Sequence, residues 1–262
     1  MVLTENSESD NNLILHGIKL AGAFKKELCF LHLPAILNTS KPDQIPAVLE
    51  GYRKIVKKEV PALRVSTLIL SGKPENLMEV LTDKYEIILI ITRAVQYKKL
   101  SAAIKISPVP FLFINAKQTS VPDYKKIILP VDLRKEAKDA ILWASYFARF
   151  NGSGINVLAA NDKDKENIRN VMKNVVQIKK LFTKFNIGFR VFKGTVNSLK
   201  IQFEALEKAK ALKADMIIIL ASSYVSFLDL LIGLPEKKIL KNAGDVPVLI
   251  INPRKDMYIM CD

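Results

Sequence analysis

The sequence predicts an α/β protein with two halves, each built from a mainly parallel sheet and flanking helices. Three observations predict this class: the chain repeats itself, its strand candidates are unbroken apolar runs, and helical periodicities stand between them. Unbroken apolar runs are typical of strands buried on both faces of a parallel sheet. Strands that alternate with helices form right-handed βαβ units, which place helices on both sides of the sheet.

The internal repeat consists of five apolar runs that occur in the same order in both halves. One constant shift along the sequence places Glu5 on Asp132 and Leu28 on Ile155. The most similar runs are the last, 109–115 and 246–252, which both begin with Val-Pro and end with Ile-Asn. The runs begin at Val2, Leu28, Ile69, Glu86 and Val109 in the first half and at Ile127, Ile155, Val191, Asp215 and Val246 in the second. This shared order predicts five strands in each half.

Helical periodicity occupies the stretches between the runs. The second half contains three apolar faces: Ala137, Ala140, Ile141, Ala144, Phe147 and Ala148; Ile168, Val171, Met172, Val175, Ile178, Phe182 and Phe185; and Leu199, Phe203 and Leu206. The first half shows the same spacing in Ile45, Val48, Leu49, Tyr52, Ile55 and Val56. The glycine-rich turn 151–154 predicts a helix end, because glycine adopts the left-handed conformation of a C-cap. We expect Trp143, which follows the first of these faces, in the core.

The length of 262 residues suits two domains. A polar stretch from Ala116 to Asp123, which holds Pro122, predicts the linker, so the expected domains are 1–118 and 123–262. The hydrophobic fraction of 49% excludes a disordered chain and provides for sizeable cores.

We expect a cytoplasmic protein. No apolar run reaches the roughly 18–20 residues of a membrane span, and the opening residues lack the pattern of a signal peptide. The two cysteines, Cys29 and Cys261, lie near opposite ends of the chain and indicate neither a disulfide framework nor a thiolate zinc site.

The net charge of +14 attracts polyanions in general. However, the basic residues are mostly lysines, scattered singly or in pairs on the polar sides of helical patterns. No basic run is interleaved with aromatic residues, and no nucleic-acid recognition motif is present. We interpret the charge as a solvated lysine surface and do not expect a nucleic-acid partner.

The pattern resembles the universal stress protein family, and specifically its tandem, two-domain members. The residues that carry the resemblance are 127–132 (Ile-Ile-Leu-Pro-Val-Asp), Gly194 after the third strand, and a last strand entered through Val246-Pro247-Val248. The resemblance implies two Rossmann-like domains with strand order 3-2-1-4-5. It also implies an internal pseudo-dimer in which the last strands of the halves pair, and a homodimer is a further alternative. The edge residues concerned are Val109, Phe111, Phe113, Val246, Val248 and Ile250.

Nucleotide-binding members of this family hold ATP with a glycine-rich loop after the fourth strand, and this sequence departs from that motif. The second half continues from Ala221-Ser222-Ser223 without the early glycines, and Gly233 is followed by Leu234 where a serine or threonine is expected. The corresponding loop of the first half, 92–99, contains no glycine. Because those glycines allow the backbone to approach phosphates, we expect no dense phosphate contacts in either half.

A ligand pocket, if the second half keeps one, would lie at the carboxyl ends of its strands. The candidate residues are Pro130, Asp132, Ala160, Gly194, Ala221, Ser222, Ser223, Gly233 and Leu234. Asp132 matches the family's nucleotide-contacting aspartate, but it equally fits a cap of the following helix. Glu5 is its counterpart in the first half.

The loop after the fourth strand of the second half allows two interpretations. Ser222, Ser223 and Ser226 either donate to a phosphate or, as we favour, satisfy their own loop backbone. The apolar side chains of 227–232 either fill the vacated pocket, as we prefer, or form a contact surface.

His16 and His32 lack partners at ligand spacing and are interpreted as structural residues, so no metal is expected. The second half contains no histidine, and no carboxylate pair stands out for acid–base work, so no catalytic residue is predicted. The apolar tail 257–260 suggests a docked segment, and Cys261 is interpreted as an inert thiol rather than a reactive one.

The resemblance therefore implies a non-enzymatic stress-response protein that acts by protein association or by sensing a small ligand. No cofactor is expected. The alternative is a nucleotide switch whose second domain binds ATP or AMP. The protein partner and the small ligand are not identified by the sequence.

Overall fold

The computed structural model describes residues 1–5, 10–36, 42–115, 120–222 and 234–252. The described residues form two compact units that divide between Val121 and Pro122, within the stretch predicted as the linker. Each unit contains five strands and its own helices among the described residues.

The first unit alternates strands with helices. Its strands are β1 (Val2–Leu3), β2 (Leu28–His32), β3 (Val65–Ile69), β4 (Ile90–Arg93) and β5 (Phe111–Ile114). Its helices are α1 (Asp10–Phe24), α2 (Ile45–Glu59), α3 (Pro74–Asp83) and α4 (Tyr97–Ile106), with short 3₁₀ turns at Pro42–Gln44 and Ala94–Gln96.

The second unit repeats the same alternation. Its strands are β6 (Lys126–Val131), β7 (Gly154–Ala159), β8 (Phe189–Lys193), β9 (Met216–Leu220) and β10 (Val248–Ile251). Its helices are α5 (Ala137–Asn151), α6 (Lys165–Lys184), α7 (Ile201–Ala211) and α8 (Pro235–Asn242).

The strand pairs within each unit are parallel. The order is β3-β2-β1-β4-β5 in the first unit and β8-β7-β6-β9-β10 in the second, so the predicted order 3-2-1-4-5 is confirmed for both halves. β9 is buried along its whole length, as its unbroken apolar sequence predicts. In each unit the chain reverses its direction of winding beside the first strand, and ligands of open α/β sheets bind in the crevice beyond the carboxyl ends at that point.

Two strands of the first unit lie elsewhere than the apolar runs suggest. β3 ends at Ile69, where the run 69–72 begins, because an edge strand with half-exposed side chains can be built from polar residues such as Ser66 and Thr67. β4 begins at Ile90, where the run 86–90 ends. Glu86 has a left-handed φ of 49°, which interrupts the extended conformation before the strand starts.

The predicted apolar faces of the helices are only partly buried. On α6, Val171, Val175, Ile178 and Phe182 are buried, whereas Ile168 and Met172, together with Phe185 just after the helix, are exposed. Those three lie at the margins of the face that packs on the sheet, where the helical spacing rotates them outward. On α2, Ile55 is likewise exposed, and Leu199 precedes α7 and is 83% exposed.

The helix ends follow local rules. Gly152 closes α5 with a φ of 67°, which confirms the predicted glycine cap. The carboxylate of Asp164 caps α6 by accepting hydrogen bonds from the backbone N–H groups of Glu166 and Asn167. Trp143 is buried on α5 with its ring edge-on to Tyr146, so its prediction as a core residue is confirmed.

Candidate functional site

The parallel sheet of the second unit brings several predicted site residues to one edge. The residues that directly follow β6, β7, β8 and β9 are Asp132, Ala160, Gly194 and Ala221. Pro130 is the second-to-last residue of β6. We call this edge the strand-end region.

The loop that follows Ala221 is only partly described. Ser222 and Leu234 are placed, whereas Ser223 and Gly233 lie outside the described residues, as do Ser226 and the apolar stretch 227–232. The interpretations of that stretch therefore stay predictions. The tail 257–260 and Cys261 also lie outside the described residues.

Asp132 is buried and binds Arg134. One carboxylate oxygen accepts a hydrogen bond from the Arg134 backbone N–H at 2.9 Å, and the other accepts from Nε at 2.8 Å and lies 2.6 Å from Nη2. Nη1 of the same guanidinium donates to the Ala221 carbonyl at 3.1 Å, so Arg134 links the ends of β6 and β9. Helix α5 starts only at Ala137 and has no side-chain cap, so the interpretation of Asp132 as its cap is wrong.

Asn174, which the sequence analysis did not identify, holds this turn from helix α6. Its Nδ2 donates to the backbone carbonyls of Asp132 at 2.8 Å and of Arg134 at 2.9 Å. Asn174 is buried on the face of α6 that packs on the sheet. A polar residue in an otherwise apolar helical face was the available sequence signal, because a buried amide needs a partner.

Glu204 of α7 binds the loop that follows β8. Its carboxylate accepts hydrogen bonds from the Thr195 N–H at 2.9 and 3.0 Å and from the Val196 N–H at 3.1 Å. Gly194 fits closely just before them: a Cβ there would lie 2.6 Å from Ile201 Cδ1 and 3.3 Å from Glu204 Oε2. The glycine therefore serves close packing between β8 and α7.

Asp162 performs a similar role further along the same loop. Its carboxylate accepts from the Ser198 N–H at 3.2 and 3.3 Å and from the Ser198 hydroxyl at 2.5 Å. The Ser198 oxygen in turn accepts from the Leu133 N–H at 3.1 Å. These hydrogen bonds connect the loops that follow β6, β7 and β8 through the Asp162 carboxylate and the Ser198 hydroxyl.

Glu236, in the first turn of α8, lies against the end of β9. It is buried, and its Oε1 accepts a hydrogen bond from the Ser222 N–H. Gln202 of α7 donates from Nε2 to the Leu220 carbonyl at 3.3 Å. Glu236 Oε2 and Gln202 Oε1 are buried without a hydrogen-bond partner in the described part of the chain.

Three carboxylates therefore accept hydrogen bonds from backbone N–H groups in the strand-end region: those of Asp162, Glu204 and Glu236. Backbone amides are the groups with which open α/β proteins hold phosphates. Glu204 and Glu236 lie in first turns of helices, where acidic residues are favoured. That signal is visible in the sequence, but the loop that each carboxylate reaches is set by the tertiary fold.

The equivalent edge of the first unit is also closed by an acid and an arginine. Glu5, the counterpart of Asp132, lies 3.0 Å from Arg93 Nη2 and accepts from Gln96 Nε2 at 2.7 Å. Its backbone N–H donates to the buried carboxylate of Asp10, which also accepts from the Tyr52 hydroxyl at 3.0 Å. Burial, together with the charge of Asp10, raises the pKa of Tyr52 well above its ordinary value.

His16 and His32 are fully buried in α1 and β2. Burial lowers the pKa of His32, and a hydrogen bond to the backbone of Thr4 opposes this shift. Within the described residues, no three side chains of histidine, cysteine, aspartate or glutamate come close enough together to hold a metal ion.

The residues predicted to pair across the two halves lie on the last strand of each unit or just before it. Phe111 and Phe113 belong to β5, which pairs with β4 inside its unit; Val248 and Ile250 belong to β10, which pairs with β9. Val109 and Val246 precede these strands. The pairing of the halves stays a prediction.

Across the described ranges, we find no helix with the length and apolar character needed to cross a membrane.

The fold and the strand-end region together define a tandem, doubly wound α/β protein with strand order 3-2-1-4-5. Solved structures with this architecture include a universal stress protein from Archaeoglobus fulgidus DSM 4304 (TM-score 0.64, 14% identity, covering 97% of both chains). A protein assigned as a universal stress protein from Pseudomonas aeruginosa UCBPP-PA14 aligns with a TM-score of 0.64 and 14% identity over 96% of this chain and 92% of its own. A protein of unknown function from Pseudomonas aeruginosa PAO1 aligns with a TM-score of 0.62 and 14% identity, also over 96% of this chain and 92% of its own.

These likenesses show that the chain has the universal stress protein fold over nearly its whole length, and the resemblance predicted from the sequence is confirmed at the level of the fold. No protein-family model matches the chain, and no curated protein matches its sequence.

Proposed function

We propose that this chain is a tandem universal stress protein without enzymatic activity, which acts in the cytoplasm by protein association or by sensing a small ligand. We further propose that it works without ATP. The proposal starts from the fold that the chain shares with universal stress proteins, and the chemistry of the strand-end region gives it its specific form.

The observation that carries the proposal is the placement of Glu204 on the amides of Thr195 and Val196 and of Glu236 on the amide of Ser222. A phosphate bound to these amides would have to displace the carboxylates or lie beside them. Hydrogen bonds to a charged acceptor contribute about 1.5–3 kcal/mol each. Two like charges roughly 4 Å apart near a protein surface repel by about 4 kcal/mol. Both terms act against a nucleotide phosphate.

The position where the family's aspartate meets a nucleotide is also engaged. The Asp132 carboxylate is bound to Arg134 through its backbone N–H and its guanidinium, and that guanidinium reaches the Ala221 carbonyl. A base or ribose could use Asp132 only after this ion pair had opened. The second half also contains no histidine that could serve as a general base there.

Two measurements on the purified full-length protein test the proposal: mass spectrometry of small molecules released on denaturation, and calorimetric titration with ATP and with AMP. We expect no co-purified nucleotide and no binding heat. A co-purified nucleotide, or micromolar binding that is lost in Asp132→Ala, would establish the nucleotide switch instead.

A pair of variants tests the physical reason. Glu204→Gln removes the negative charge that faces Thr195 and Val196, whereas Glu207→Gln removes an exposed charge from the same helix α7. If internal carboxylates exclude phosphate, the Glu204→Gln variant should bind ATP at a lower ATP concentration than the Glu207→Gln variant does. If the natural protein binds ATP and both variants bind it with equal affinity, the carboxylate argument is contradicted.

A further inference from the structure

The second unit contains a cavity far from the strand-end region, at the amino ends of β6, β7 and β8. Its volume is about 700 Å³, within the range of small-molecule sites. Its base is open because Gly154 and Gly188 contribute no side chains, and a Cβ at Gly188 would meet nothing within 4 Å. Leu212, just beyond the end of α7, forms one wall.

The strand register explains which side chains face this cavity. Phe182 of α6 packs edge-on against Phe189 at 5.5 Å, so Phe189 faces α6 and its neighbour Arg190 faces the opposite side of the sheet. Phe192, two residues further, shares the side of Arg190, and Asn156 is the register partner of Arg190 on β7. The edge strand thus presents an aromatic ring and a guanidinium side by side.

The charged residues that line the cavity are all basic. The described residues that line it include Lys125, Lys126 and Arg190 and no acidic side chain. Lys126 Nζ donates to the Leu212 carbonyl at 3.0 Å, and Lys125 Nζ donates to the Asn151 carbonyl. These bonds leave the exposed Arg190 as the cation most accessible to a ligand. Asp215, the acid beside the two lysines, accepts hydrogen bonds from their backbone N–H groups.

The partly exposed ring of Phe192 lies among the basic residues that line the cavity. Phe192 is 37% exposed, and the ammonium of Lys208 on α7 lies 5.7 Å from its ring centroid. A planar ring stacked on Phe192 would cover apolar surface and lie near two cations, a geometry that favours an aromatic group carrying negative charge. A second copy of this chain fits poorly, because each copy carries a net charge of +14.

We propose that this cavity is a binding site for small aromatic anions, with Phe192 as the stacking platform and Arg190 and Lys208 as the charge partners. The site goes beyond the function proposed above, since it uses none of the residues of the strand-end region and does not depend on whether ATP binds there.

The test uses 1-anilinonaphthalene-8-sulfonate, a fluorescent aromatic anion, with the full-length protein. We expect saturable binding that weakens about fivefold to tenfold in Arg190→Gln and in Phe192→Leu. Matched controls are Arg169→Gln and Phe185→Leu, which make the same changes at exposed positions of α6 and just after it and should alter the affinity by less than about twofold.

Gly188→Leu provides an independent variant, because it removes no charge or ring and fills the open base of the cavity. It should abolish the specific binding while the thermal unfolding of the protein remains cooperative. Amide shifts induced by the probe in NMR spectra should map to Gly154, Asn156 and Arg190. Binding that is absent, that survives all three cavity variants, or that falls equally in the α6 controls would overturn the proposal.

Discussion

Replacing Gly194 with alanine tests how tightly the loop after β8 is packed. The added methyl group would lie 2.6 Å from Ile201 Cδ1, 3.0 Å from the Ala159 carbonyl oxygen and 3.3 Å from Glu204 Oε2. Favourable contacts between non-bonded carbon atoms need about 3.5–4.0 Å. Ile201 is fully buried and has little room to retreat, and Ala159 contributes backbone from inside the sheet.

The magnitude follows from opposing terms. A buried methyl group contributes about 0.8 kcal/mol, and loss of glycine's freedom in the unfolded chain contributes about 0.4–1 kcal/mol. Overpacking costs about 1–3 kcal/mol. Separation of the strands would also weaken the hydrogen bond from the Gly194 N–H to the Ala159 carbonyl, which is 2.7 Å long, at a cost of about 1 kcal/mol. We expect a net destabilisation of about 1–2 kcal/mol.

The assay is thermal unfolding followed by circular dichroism, with Gly188→Ala as the matched control. A Cβ at Gly188 meets nothing within 4 Å, so that variant should be neutral or more stable by up to about 1 kcal/mol. The Gly194 variant should melt lower by about 2–4 °C for each kcal/mol lost. If it melts at or above the natural protein while the control behaves as expected, the close-packing explanation is refuted.

Three further predictions concern stability and are tested by denaturant or thermal unfolding. Gly51→Ala should stabilise the protein by about 0.5–1 kcal/mol, because Gly51 lies inside α2 with open space where the Cβ would stand; a loss of stability would contradict this. Asp164→Ala should destabilise it by about 0.5–2 kcal/mol, since the N–H groups of Glu166 and Asn167 lose their acceptor; an unchanged midpoint would show that the cap contributes nothing. Burial lowers the pKa of His32 below its ordinary value of 6.5. The folded protein then binds fewer protons than the unfolded chain, so its stability should fall as the pH drops below 6.5. His32→Gln should reduce the difference in stability between a pH above 6.5 and a pH below it.

The architecture was predictable because burial is encoded locally. The run 216–220 is apolar at every position and is buried at every position, which is what a strand covered on both faces requires. Gly152 marked a helix end through its own backbone conformation. Prediction failed where burial is partial: β3, an edge strand, contains Ser66 and Thr67, and the apolar run taken for it begins only at its last residue.

The candidate site was predictable only in its location. The rule that ligands of open sheets bind beyond the carboxyl ends of the strands placed Asp132, Ala160, Gly194 and Ala221 at one edge, and the parallel register brings them there. The sequence could not show that Arg134, two residues from Asp132, engages that carboxylate. Either a solvent-directed or an inward-directed arginine is compatible with the same local sequence.

The sequence by itself thus determined the repeat, the alternation of strands and helices, and the absence of glycine from residues 92–99 and 221–232, because each depends on residue type and spacing along the chain. Only the tertiary structure decided that Glu204 and Glu236 occupy backbone amides of loops following β8 and β9. It alone placed Phe192 and Arg190 at an open cavity, with the Lys208 ammonium near the Phe192 ring. Contacts between residues of separate elements depend on strand order and on which face of the sheet each residue occupies, and these are set by the packing of the whole unit.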